Sequence, residues 1–212
     1  VTDMSYMFYS CTNLMSLHIS NFKTGNVIDM FNMFGADVYL SEVDLSYFDT
    51  SKVTNMSRMF DNCQHLKSLN IRNFDTSSTK DMSYMFQNCF ALKNLDISHF
   101  NTEKVTDMTN MFAYSKKISS VDLSNVYTKN LHDMKAMFYG CNELKSLSLK
   151  KFDTSNVRDM SSLFSNCNSL TSLDLSRFNT EQVTDMNNMF FSCTKLEYLD
   201  VSSFNTKQVM DM

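Results

Sequence analysis

Val105-Thr106-Asp107-Met108-Thr109-Asn110-Met111-Phe112 is the stretch that decides how this chain folds, because the same phrase recurs along the whole sequence. It opens the chain as VTDMSYMF from Val1, then returns as VIDMFNMF from Val27, VTNMSRMF from Val53, TKDMSYMF from Thr79 and LHDMKAMF from Leu131. VRDMSSLF from Val157 and VTDMNNMF from Val183 complete the series. The first Met of each phrase stands at 4, 30, 56, 82, 108, 134, 160, 186 and 212, a period of 26 residues without insertion or deletion. A fixed period of this size belongs to repeat architectures, whose units bury their apolar faces only against their neighbours. Residues 1–212 therefore read as a single repeat domain of about eight coils, and as a fragment of a longer array because the sequence starts and stops inside the phrase.

Within one unit, Val53, Met56, Met59, Phe60 and Cys63 fall at offsets close to one helical face. The following Leu66, Leu69, Ile71 and Phe74 contain the alternation of a short half-buried strand around Ser68 to Arg72. The expected class is α/β: a solenoid of 26-residue coils, each a short parallel strand plus a short helical or turn return. With strands about 4.8 Å apart, eight coils span on the order of 40 Å. Like residues then stack on like, Leu14 through Leu196 in one column and Phe22 through Phe204 in another.

Composition supplies the core and removes several functions. Hydrophobic residues make up 43% of the chain, enough to exclude disorder. The net charge of −4 is spread along the length, leaving no basic stripe to follow a phosphate backbone, so nucleic acid is not an expected partner. No apolar run approaches the roughly 18 residues of a membrane span, so membrane insertion of this segment is not expected.

The remaining columns read as structural. Six Cys, at 11, 63, 89, 141, 167 and 193, share one repeat position, which fits buried free thiols better than a staggered disulfide framework. Asp37 and Ser115 interrupt that column, and a polar group there needs a hydrogen-bond partner or a small outward shift of its turn. The Asp preceding each first Met, replaced only by Asn55, reads as a cap on the following turn, with a calcium ladder as the sharper alternative. Thr24 and its equivalents through Thr206 read as a hydroxyl column bonded from coil to coil. His18, His65, His99 and His132 lie in four different columns, and no phosphate-binding glycine loop is present. An enzyme is not expected, and no cofactor or metal is implied.

The units SCTNLMSLHIS, NCQHLKSLNIRNFDTS and NCNSLTSLDLSRFNTEQVTDMNNMF resemble the BspA-like leucine-rich-repeat surface proteins, in the branch of bacterial surface proteins and mycoplasma-type lipoproteins. The resemblance runs over essentially the whole chain. It implies a leucine-rich-repeat-like solenoid, display on the outside of the cell, and a role in adhesion or host interaction.

What such a chain offers a partner is the outward side of its strands. His18, Asp44, Asn70, Arg72, Asp96, Asp122, Lys150, Asp174, Tyr198 and Asp200 form the candidate binding face, a polar, acid-spotted strip among serines that include Ser124. The expected partner is a host or neighbouring-cell protein or glycan. The alternative is a structural spacer that projects another domain from the cell surface. Oligomeric state, ligand and anchoring mode stay open at this level.

Overall fold

In the computed structural model, which describes residues 1–123 and 125–212, the chain is a leucine-rich-repeat-like solenoid; Ser124 lies outside the described residues. Among the described residues seven short strands form, one in each of seven coils: β1 (Ser16–Leu17), β2 (Glu42–Asp44), β3 (Ser68–Asn70), β4 (Asn94–Leu95), β5 (Ser120–Val121), β6 (Ser172–Asp174) and β7 (Tyr198–Asp200). All pairings are parallel and in repeat register, as in Val43↔Leu69 and Asn94↔Ser120. The strands do not make one sheet. They fall into β1-β2-β3, β4-β5 and β6-β7.

The continuous ladder runs on the return side instead. Asp3 bridges Asp29, Asp29 bridges Asn55, and the chain of parallel bridges continues to Asp211 without a gap. Beyond each bridge, alternate amides reach into the next coil. In the coil of Met30, the N–H groups of Met30, Asn32, Phe34 and Ala36 donate to the carbonyls of Asn55, Ser57, Met59 and Asp61 at 2.7–3.0 Å.

Of the two forms expected for the return, the turn is the one found; the described residues contain no helix. Arg58 (φ 57°) and Asn62 (φ 62°) are left-handed, and so are their equivalents coil after coil, for example Asn32, Ala36, Asn110 and Tyr114. A left-handed residue cannot continue a right-handed helix. Successive turns close as Met59 N–H to Met56, Asp61 N–H to Arg58 and Cys63 N–H to Phe60. Such steps of three and four place Met56, Met59, Phe60 and Cys63 in the interior, which is why their spacing imitates a helix.

That interior is built of columns. Phe8, Phe34, Phe60, Phe86, Phe112, Phe138, Phe164 and Phe190 stack with ring centroids 5.5–6.0 Å apart and planes within 12° of parallel. Leu40, Leu66, Leu92, Ile118, Leu144 and Leu170 are at most 1% exposed, while Leu14 and Leu196 in the first and last members are only partly buried. Burial of each such side chain stabilises the fold by roughly 1.5–3 kcal/mol.

The polar columns close the coils. The Cys63, Cys89, Cys141 and Cys167 thiols are buried and unpaired as disulfides, and each donates to a Phe carbonyl 29 residues earlier. Burial pushes the Cys141 thiol up to about 12. Cys11 is exposed and Cys193 half-buried, so full burial belongs to the inner coils. Ser115 takes the same role, its hydroxyl 2.7 Å from the Phe86 carbonyl. Asp37, fully buried, does not: neither carboxyl oxygen has a hydrogen-bond partner.

The threonine hydroxyls link coils as the sequence suggests. Thr102 Oγ1 donates to the Tyr127 carbonyl at 2.7 Å and accepts the Tyr127 N–H at 2.8 Å. Thr50, Thr128, Thr154 and Thr180 make the same reciprocal pair with the residue 25 positions later.

Candidate functional site

The strand face is positioned by alternation. In β2 the side chain of Val43 is buried while Glu42 and Asp44 are exposed, and β6 repeats the pattern with Leu173 between Ser172 and Asp174. Because the register between strands is fixed by the 26-residue period, the outward residues form straight columns. Of the candidate residues, His18, Asp44, Arg72, Asp96, Asp122, Lys150, Asp174 and Tyr198 are exposed, whereas Asn70 and Asp200 are half-buried.

The acids of this face stand at the last residue of their strands or just past it. Asp44 Oδ1 accepts the Ser46 N–H at 2.9 Å, and Asp96, Asp174 and Asp200 hold Ser98, Ser176 and Ser202 in the same way. These bonds hold the carboxyls below their ordinary range, the Ser46 amide acting first on Asp44 and the Ser98 hydroxyl first on Asp96. Charges of both signs meet here: Arg72 further lowers Asp44, Lys150 and Arg177 lower Asp174, and Asp174 raises Asp200. The result is a fixed row of ionised carboxylates punctuated by cations.

Two shallow depressions gather part of the predicted face. The first, about 410 Å³, brings together His18, Asp44 and Asn70 with Ser16, Glu42 and Ser68 over the side chains of Leu17 and Val43. A second, about 340 Å³, joins Asp96 and Asp122 with Asn94, Ser98 and Ser120. Arg72, Lys150, Asp174, Tyr198 and Asp200 border neither depression. Sequence reasoning missed that the inward residues Leu17 and Val43 line the first depression and Leu95 the second.

The Asp column at the start of each return acts as a cap. Asp29 Oδ1 accepts the Phe31 N–H at 2.8 Å, Asp107 the Thr109 N–H at 2.7 Å, and Asn55 substitutes with the Ser57 N–H at 3.0 Å. Among the described residues no group of three or more His, Cys, Asp or Glu is placed to hold a metal ion. His65 and His99 each lie within hydrogen-bond distance of a backbone carbonyl, Val38 and Ile71 respectively. No helix of the described residues is long and apolar enough to cross a membrane.

Comparison with known proteins places the coil in context. A family described as "Mycoplasma protein of unknown function, DUF285" matches residues 1–93, 66–148 and 140–212. No curated protein sequence matches this chain. Similar solved structures include a leucine-rich-repeat protein of T. pallidum, 16% identical, with 92% of this chain and 72% of that one covered at a TM-score of 0.40. A leucine rich cell surface protein of Faecalibacterium prausnitzii is 16% identical, covering 93% of this chain and 62% of that one at 0.42. A leucine-rich-repeat protein of Bacteroides ovatus is 18% identical, covering 92% and 57% at 0.35. This chain thus spans less than two thirds of the length of the latter two.

Proposed function

Because the chain belongs to the DUF285 family of Mycoplasma proteins along its whole length, we propose that it is a repeat module of the BspA-like branch, displayed outside the cell, that binds a host or neighbouring-cell protein or glycan over its strand face. The observation that supports this most is the pair of depressions on that face. They combine a partly apolar floor with carboxylates already ionised and held in place by Ser46 and Ser98. A surface that is rigid before binding loses little conformational entropy on association. Enzymatic chemistry has no support here, since the histidines sit in separate columns and two of them lie against backbone carbonyls.

The test is capture of extracellular-matrix, serum and mucin glycoproteins by immobilised protein. The comparison is a variant with Asp44, Asp96 and Asp174 changed to Asn and Arg72 and Lys150 to Gln, leaving every inward column intact. Selective capture lost in the variant is the expected result. Equal capture by both proteins places binding on another surface, and none by either favours the spacer.

A further inference from the structure

Beside the strand face, the corner that leads into β4 holds a depression of about 420 Å³ lined by Lys67, Lys93, Lys117, Asn94 and Ala91, with no carboxylate in its wall. The smallest of the lining residues is Ala91. Positions 39, 65, 91, 117, 143 and 169 form one column, carrying Tyr39, His65, Ala91, Lys117, Glu143 and Ser169, and Ala91 is its shortest member. In the coil before, the same place is filled by the His65 ring, stacked on Tyr39 at 5.1 Å with Nδ1 2.8 Å from the Val38 carbonyl. Three of the five lining residues are lysines: Lys67 and Lys93 occupy equivalent positions on adjacent coils, and Lys117 comes from the coil beyond. None of the three is in an ion pair among the described residues.

We propose that this depression is an oxyanion site that takes the sulfate groups of a sulfated glycan. Three lysines lining one concave, carboxylate-free pocket attract an anion more strongly than isolated surface lysines do, and the Asn94 amide adds a neutral donor type suited to sulfate oxygens. A pocket of this size admits one sugar ring with its substituents rather than a macromolecular surface. Lys67 and Lys93, at equivalent positions of adjacent coils, are offset by the coil pitch of about 5 Å, and Lys117 extends the basic lining to the coil beyond. The site shares Asn94 with the second depression of the strand face but none of the residues exchanged in the strand-face variant, so the two readings are tested separately.

The probe is a sulfated heparin oligosaccharide, with binding measured by calorimetry at low and physiological salt. The expected result is salt-sensitive binding that falls at least tenfold in the Lys67→Gln, Lys93→Gln, Lys117→Gln variant and also in Ala91→Tyr. The second variant keeps every charge and fills the floor with the side chain that the column already accommodates at Tyr39, so it separates a built site from general basicity. Exchanging three lysines of the threonine corner, Lys23, Lys104 and Lys207, for Gln is expected to change binding less than twofold. No binding by the native chain, native-like binding by Ala91→Tyr, an equal loss in the threonine-corner variant, or equally tight binding of a single-stranded DNA of the same charge overturns the proposal.

Discussion

At residue 37 a carboxyl group stands where inner coils carry a thiol or hydroxyl that donates to a Phe carbonyl. An ionised carboxylate cannot donate, whereas a protonated one can. Burial pushes the Asp37 carboxyl up to about 7, and the nearby Cys11 amide, outside hydrogen-bonding geometry, offsets only part of that. Below the ordinary carboxyl range of about 3.9 the group is neutral in folded and unfolded chains alike. Between there and about 7 the unfolded chain releases its proton and the folded chain keeps it, so stability falls as pH rises, by roughly 4 kcal/mol in total. The surface acids act oppositely: Asp49, Asp96 and Asp153 are held low by their serine partners, and their contribution is lost on acidification. Comparing Asp37→Cys with the native chain isolates the buried group. We predict a melting temperature higher by several degrees at about pH 8 and little change at about pH 4; an equal shift at both would show that Asp37 is not the titrating group.

At the scale of the coil, the threonine corner is the most regular link. Tyr127 depends on Thr102 Oγ1 for both its N–H and its carbonyl, at 2.8 and 2.7 Å. Thr102→Val preserves shape and leaves two backbone groups unsatisfied, so the predicted loss is about 2–4 kcal/mol, with Thr102→Ser recovering most of it. A loss below about 1 kcal/mol by denaturant titration would mean water replaces the hydroxyl. This corner was legible in the sequence because a hydroxyl that never varies has one structural use. The return was less so. Periods of three and four suit a helix and a chain of turns equally, and the distinguishing signal is local: Asn32, Asn62, Asn88, Asn110, Asn166 and Asn188 all take left-handed positions, where Asn is tolerated better than most residues. The outward columns of the strands were legible, since alternation fixes which side chains point out. The depressions were not, because they depend on how briefly each strand stays paired and, in the basic corner, on which member of a column is short.

For the whole molecule, regularity and interruption coexist. The strand side breaks after β3 and again between β5 and β6, while the Asp ladder and the phenylalanine stack run on through the breaks. The return side is therefore the continuous spine, and the strand face is the side whose pairing is interrupted. That division suits a module whose outward residues differ between coils while its inward residues do not. The unbroken period has a mechanical corollary. The return-side amides bond to the next coil along the solenoid axis, so a pull applied to the chain ends loads one coil at a time rather than shearing many together. Every coil holds 26 residues, and each one peeled away frees on the order of 90 Å of contour at about 3.4 Å per residue. In an optical trap the protein is expected to lengthen in a train of equal steps at nearly constant force, a ratchet of identical teeth; a single cooperative rip would show that the coils bear load together.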